Sequence, residues 1–370
     1  MARKMQKMIP VAEPLLGNEE LENLKECITS GWISSHGKFI KEFEDKFSKF
    51  CNVKYSVSVC NGNAALHLAL AALGIGKGDE VIVPDITFIS TANAVVYTGA
   101  KPVFVDIEKR TWNIDPEKIK EKITGKTKAV IPVHLYGHPC DMGRIMKIAK
   151  EHNLFVVEDC AEAHGAEYKG KKVGSFGDIG CFSFFGNKII TTGEGGMCTT
   201  DSKELRDKMD ILKNYGNSPD RKYDYKVIGF NYRMTNMQAA VGVAQIKKID
   251  EIIDKKRENA SIYNKLLKDV KGITLPAEED YAKNVYWMYT MLVEDDFGIT
   301  RDELASLLSK KGIETRPIFP PISSFEIYKT DDRFPIAEEV ARKGLNLPSS
   351  AKLTEKDIKF IVDAIKDCKK

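Results

Sequence analysis

Residues 79–107 read DEVIVPDITFISTANAVVYTGAKPVFVDI. The compact apolar run DEVIVP is followed by the helix-compatible STANAVVYTG and then by a second apolar run, KPVFVDI. Neither apolar run alternates with polar residues, so each reads as a strand buried on both faces. A strand, a helical crossover and a second buried strand make a parallel pair.

The same rhythm extends outward in both directions. NAALHLALAALG upstream is helix-compatible, and TKAVIPVHL, CDMGRIMKIAKEHN and NLFVVEDC downstream alternate strand, helix and strand. This order predicts an α/β fold, a large domain whose mostly parallel central sheet is flanked by helices. In such sheets ligands bind at the carboxyl ends of the strands, so the polar residues found there matter most.

After Thr200 the pattern changes. NMQAAVGVAQIKKIDEIIDKKRENASIYNKLL reads as one long helix, able to bridge two domains. Beyond Gly272 come the strand-like YWMYTMLVED, a helix opened by Thr300 and Glu303 as a capping box, and a similarly capped helix from about Thr354. We therefore expect an N-terminal arm and large domain over 1–250 and a smaller C-terminal α+β domain over 251–370.

Composition narrows the function. The net charge of +3 is spread over interspersed lysines and glutamates, without the basic stripe that nucleic-acid binding needs. No apolar run approaches the about 18 residues of a membrane span. The opening MARKMQKMIPVAEP is charged and lacks the apolar core of a secretory signal, and the lysine-rich Lys366–Lys370 reads as solvated charge. Eight cysteines without metal-type spacing read as reduced thiols of a cytoplasmic protein, and no metal site is expected.

Four local features carry chemistry, each with a plainer reading beside it. In SVCNGNAALHLAL a strand breaks at Asn61-Gly62-Asn63 and becomes a helix, a phosphate site if anything binds there and otherwise a capped helix. In FVVEDCAEAHGA a strand ends in Glu158 and Asp159, which alternation sends to opposite faces, with Glu162 and His164 following. One carboxylate could face a ligand, or Asp159 could cap a helix at CAEA; His164 reads more readily as a structural histidine. In FSFFGNKIITTGEGGM, Lys188 follows Ser183 and precedes a glycine-rich tail; it is either a Schiff-base amine or an exposed loop charge. Phe88, in PDITFISTANAV, could stack on a planar ring or simply pack. Together, a phosphate-binding turn, a stacking aromatic, a strand-end aspartate and a later lysine are what pyridoxal phosphate requires. A dinucleotide-binding Rossmann reading fails, because GIGKGDE lacks the third glycine and precedes a strand.

EDCAEAHGAEYKGKKVGSFGDIGCFSFFGNKIITTGEGGM resembles the signature of the DegT/DnrJ/EryC/StrS sugar-nucleotide aminotransferases, within the fold-type I pyridoxal-phosphate enzymes. The resemblance continues through SGWISSHGKFIKEFE, CNGNAALHLAL, HLYGHPCDM, GFNYRMTNMQAAVGVAQI and GIETRPIFPPI, covering nearly the whole chain. It implies pyridoxal 5'-phosphate as cofactor and transamination with L-glutamate as amino donor. Lys188 would bond to the cofactor, Asp159 would partner its pyridine nitrogen, and Glu162 would lie near its phenolic oxygen. Phe88 would stack on the ring, while Asn63, Ala64 and Ser183 would hold the phosphate. Asn231 would reach the phosphate of a neighbouring subunit, making a homodimer with shared active sites. Trp32 and Arg316 are candidate substrate residues. SGWISS, EDCAEA and GIETRPIF look most like the members that aminate C4 of GDP-4-keto-6-deoxy-mannose; UDP- or dTDP-linked 3- or 4-keto sugars are the alternatives. A non-catalytic cofactor-binding regulator is a remote one. NGNAA replaces the commoner N-G-T-A, which affects only the Asn63 contact. Other members carry histidine at the Lys188 position and act as dehydratases, a reading that Lys188 opposes.

Overall fold

The computed structural model describes residues 8–369 apart from 219, 222 and 226, so residues 1–7 of the charged opening stretch and Lys370 lie outside the described residues. In the first half of the chain the strands are β1 (Tyr55–Val59), β2 (Glu80–Pro84), β3 (Lys101–Val105), β4 (Thr127–Val130), β5 (Phe155–Asp159), β6 (Glu167–Tyr168), β7 (Lys171–Lys172), β8 (Ile179–Ser183) and β9 (Gly196–Thr200). Seven of them form the central sheet in the order β1-β9-β8-β5-β4-β2-β3. Only β9 runs antiparallel to its neighbours, so the sheet is mostly parallel, as the sequence rhythm predicts. The uninterrupted apolar runs are buried as expected: Val81, Ile82 and Val83 in β2, and all of β8 and β9.

The reversal at β9 shapes the site. The chain leaves β8 at Ser183, makes the loop that carries Lys188, and returns as β9 with Gly196 paired to Ser183. That return brings β9 against the end of β1, where a Cβ on Gly196 would lie 2.4 Å from the Asn61 carbonyl oxygen. Glycine is the residue that permits this approach.

The second half contributes β10 (Ile273–Thr274), β11 (Ala282–Lys283), β12 (Tyr289–Val293), β13 (Arg316–Pro317) and β14 (Gly344–Leu347). An antiparallel sheet in the order β10-β12-β14-β13 is covered by helices Arg301–Lys310 and Glu355–Lys366, both opened by the expected capping boxes. β11 pairs with β6, whose other partner is β7, so the second half is also stitched to the first.

The long helix expected over 236–267 is in fact two, Asn236–Lys247 and Ile249–Leu267, separated at Lys248 (φ −102°, ψ 0°). The break serves packing. The first segment lies on helices Asn18–Ser30 and Lys38–Cys51, where a Cβ on Gly242 would meet the Phe43 ring at 2.6 Å. The second starts in the main core with Ile249, Ile252 and Ile253, and ends in the smaller core with Ala260, Tyr263 and Leu267. The N-terminal arm also reaches the second half, with Ile9 and Ile313 forming a parallel bridge.

Two buried carboxylates anchor the segments that follow β13. Asp85, just after β2, accepts from the backbone and hydroxyl of Ser323, each at 2.8 Å. Asp106, just after β3, accepts from the amides of Ile336 and Ala337 at 3.1 and 2.9 Å, at the start of helix Pro335–Lys343. Carboxylates at a helix start are favoured by its dipole, and the site cleft is thereby walled on one side by the second half.

Candidate active site

A cleft of about 520 Å³ opens at the carboxyl ends of β5 and β8. Its walls include Asn63, Phe88, Asp159, Glu162, Ser183, Lys188 and Arg316. Seven residues scattered over the chain therefore meet in one place. Ala64 lies just behind the wall, buried, and its amide donates to Asn61 Oδ1 at 2.8 Å as part of the helix cap.

Two expected residues lie elsewhere on this chain. Asn231 is exposed, forms an isolated bridge with Asn214, and accepts from Arg233 Nη2 at 3.4 Å. Trp32 is 57% exposed and lines a separate depression beside Lys38 and Asn236.

Strand alternation separates the paired acids. Asp159 turns to the cleft, where Oδ2 accepts from the Thr91 hydroxyl at 2.7 Å and Oδ1 from the Ala161 amide at 3.1 Å. Residues 160–163 form a turn instead of a helix, so Asp159 is not a helix cap. Burial raises its carboxyl pKa, opposed by Thr91, Ala161 and the charge of Lys188. Glu158 faces away and accepts from the amides of Gly174, Phe176 and Gly177 at 2.9, 2.7 and 2.8 Å. His134 Nε2 also lies 3.2 Å from Glu158, while His134 Nδ1 accepts from the Cys140 amide, so the ring donates to the acid. His134, Glu158 and Cys160 bring potential ligand atoms within 4.8 Å of one another, but these hydrogen bonds already occupy the imidazole and the carboxylate.

Lys188 sits at the floor of the loop, its Nζ 3.8 Å from the centre of the Trp287 ring. Burial lowers its pKa, and the charges of Glu162 and Asp159 oppose that fall. Glu162 accepts from the Tyr136 amide at 2.8 Å, and burial pushes its carboxyl up to about 7. Burial thus favours the uncharged form of both the amine and the carboxyl, the kind of perturbed pair found at functional sites. His164, buried against Phe182 and Phe184, is pushed down to about 3 by burial and stays uncharged.

The helix starting at Gly62 supplies the expected phosphate end. A Cβ on Gly62 would lie 2.6 Å from the Ser183 Cβ, so glycine lets the helix start approach the end of β8. Asn63 has a buried side-chain oxygen without a hydrogen-bond partner. Rotating that amide presents its NH₂ to an anion beside a helix N-terminus. An orphaned amide, a crowded helix start, a buried acid and a half-buried amine fit pyridoxal phosphate.

Phe88, 54% exposed, stands at the rim 5.9 Å from the Phe319 ring. Sequence reasoning missed Thr91, Tyr136, Trp287 and Phe319, all in the cleft wall. Tyr136 stacks on both Trp287 and Phe319, with interplanar angles of 13° and 15°. It adopts a left-handed backbone (φ 51°) inside the HLYGHP stretch, a conformation rare enough for an aromatic to mark a built position.

This sheet, with an acid at one strand end and an amine on the loop after the next, defines a fold-type I pyridoxal-phosphate enzyme. Residues 14–366 match the DegT/DnrJ/EryC1/StrS aminotransferase family, and the chain belongs to it. It is 48% identical over 362 residues to a GDP-perosamine synthase of Escherichia coli O157:H7, covering 98% of each chain. A GDP-perosamine synthase of Caulobacter vibrioides is also 48% identical, over 96% of this chain and 97% of that one. The aminotransferase structure from Psychrobacter cryohalolentis superposes with a TM-score of 0.91 at 35% identity, covering 96% of this chain and 97% of that one. The chain is a sugar-nucleotide aminotransferase that uses pyridoxal phosphate.

Proposed function

We propose that the enzyme transfers the amino group of L-glutamate to C4 of GDP-4-keto-6-deoxy-mannose, producing GDP-perosamine. The observation that carries this choice of substrate is the 48% identity, over nearly full length, to two GDP-perosamine synthases. Pyridoxal phosphate, when bound, supplies an aldehyde that bonds to amines and a ring that takes up an electron pair. Asp159 would hold the ring nitrogen protonated, Lys188 would bond to the aldehyde and carry the proton between carbons, and Glu162 would lie beside the phenolic oxygen. Asn63, Ser183 and the start of helix Gly62–Ala72 would hold the phosphate, with Phe88 against the ring. Arg316, at the cleft mouth, is suited to a diphosphate or the donor's carboxylate.

A homodimer completes this reading. Asn231 and Trp32 are exposed outside the cleft, and Tyr215, Tyr225, Val227 and Ile228 leave apolar surface on the segment around Asn231. Exposed apolar surface of this kind marks an interaction site, and a second copy placed there would let Asn231 serve its neighbour's cleft. The eight free cysteines suit a reducing compartment, which supports a cytoplasmic setting.

The test is a panel of GDP-, UDP- and dTDP-linked keto-sugars with glutamate, read by mass spectrometry of the product. Amination of the GDP-linked 4-keto sugar with the highest kcat/KM is expected. Preferential turnover of a UDP- or dTDP-linked sugar would overturn the substrate, and amination at C3 would overturn the position.

A further inference from the structure

Trp287 belongs to the second half of the chain, yet it grips the Lys188 loop directly. Its Nε1 donates to the Asn187 carbonyl at 2.7 Å, and its ring lies under Lys188 Nζ at 3.8 Å. The residue is itself held on two sides. Its carbonyl accepts from the buried Lys256 Nζ at 3.1 Å, and the same Nζ donates to the Ser349 carbonyl at 2.6 Å. The opposite constraint is the stack on Tyr136, whose amide binds Glu162.

We propose that the indole face of Trp287 is the seat of the unbonded Lys188 amine, the place it occupies whenever it is not joined to an aldehyde. The negative face of an indole attracts an ammonium, most strongly where water is excluded. During amino transfer Lys188 must be displaced by the donor and then carry a proton, so a fixed seat would keep it over the reacting atoms. This inference rests on the reading of Lys188 as the cofactor-bonding lysine. Among the described residues, the titratable and charged groups around the amine are Asp159 at the end of β5, Glu162 and His164 on the turn that follows, Glu194 on the returning arm of the loop, and Arg316 at the mouth, with Lys256 behind the indole.

Recombination of the cofactor-free protein with pyridoxal phosphate tests it. The unprotonated amine attacks the aldehyde carbon, a carbon–nitrogen double bond forms, and the aldehyde oxygen leaves as water. The rate of appearance of the visible absorbance band as a function of pH therefore reports the acidity of Lys188. Trp287→Leu should move the midpoint down by about one pH unit, the size of a desolvated cation–π interaction. Trp287→Phe, which keeps an aromatic face and loses the Nε1 donor, should move it by less than half as much. Biosynthetic replacement of tryptophan by a ring-fluorinated analogue preserves shape while weakening the negative face, and should shift the midpoint in the same direction. An unshifted midpoint with the fluorinated protein, or equal shifts in Trp287→Leu and Trp287→Phe, would overturn the seat. Failure of the wild-type protein to develop the band at all would instead overturn the underlying role of Lys188.

Discussion

The Thr91 hydroxyl donates to Oδ2 of Asp159 across 2.7 Å, with Thr91 fully buried and Asp159 nearly so. The bond joins helix Ser90–Tyr97 to the end of β5 and fixes the carboxylate that faces the cleft. Thr91→Val keeps the shape and removes the donor, leaving one oxygen of a buried carboxylate without its partner. Hydrogen bonds to charged groups are worth about 1.5–3 kcal/mol, and a loss of that size is expected in urea unfolding of the cofactor-free protein at neutral pH. Pyridoxal phosphate should also bind about tenfold more weakly, because an acid with a pKa raised further is a poorer partner for a protonated ring nitrogen. Unchanged stability and unchanged cofactor affinity would show that Ala161 alone suffices.

Lys188→Ala removes the amine in the cleft floor. The variant should fold, since among the described residues the side chain is held by the Trp287 face and the charges of Glu162 and Asp159, without a hydrogen bond to the core. It should show no band of covalently held cofactor, and turnover should fall by at least about 10³-fold, the scale of losing a nucleophile that is also the proton carrier. Substantial activity in this variant would sink the assignment.

Much of this architecture was legible locally. Apolar runs such as Val81–Val83 announce parallel strands because burial on both faces leaves no room for polar alternation. Asp159 and Lys188 each had a plainer local reading, as a helix cap and a loop charge, and stood out only in combination with the Asn61-Gly62-Asn63 turn, Phe88 and the family resemblance. Long-range partnerships were hidden. Trp287 meets Asn187 across 100 residues of chain, and no periodicity in YWMYTMLVED points to that contact. Thr91 reads as an ordinary helix-start residue until Asp159 is placed opposite it. The break at Lys248 was equally hidden, because the apolar spacing runs through it and only the two separate cores demand it.

Glu162 sets a pH dependence whose sign follows from its raised pKa. Burial lifts the carboxyl from the ordinary 4.5 to about 7, so between those values the folded state keeps a proton that the unfolded chain has released. Stability should therefore fall as pH rises through that window, by about 1–3 kcal/mol. Glu162→Gln cannot ionise and should flatten this slope while keeping an acceptor for the Tyr136 amide. Urea midpoints of both cofactor-free proteins from about pH 5 to 8 give the comparison. Parallel curves would mean that Glu162 is ionised throughout.

Glu158 should behave in the opposite sense. Burial alone would push its carboxyl up, but the hydrogen bonds from His134 and from the amides of Gly177 and Gly174 hold it below the ordinary range. A depressed carboxyl contributes stability that is complete above the unfolded pKa of about 4.5 and is lost as pH falls through the lower folded value. Glu158→Gln leaves His134 and the loop donors facing a group that can no longer accept them all. A loss of about 3–5 kcal/mol is expected at pH 7, the range for breaking a buried charged network. The gap between wild type and variant should stay constant down to about pH 5 and then narrow in more acidic buffer. Because Glu158 points away from the cleft, the variant that remains folded should keep its substrate KM near that of the wild type. A variant with wild-type stability and a raised KM would place Glu158 in the site and contradict the geometry of β5.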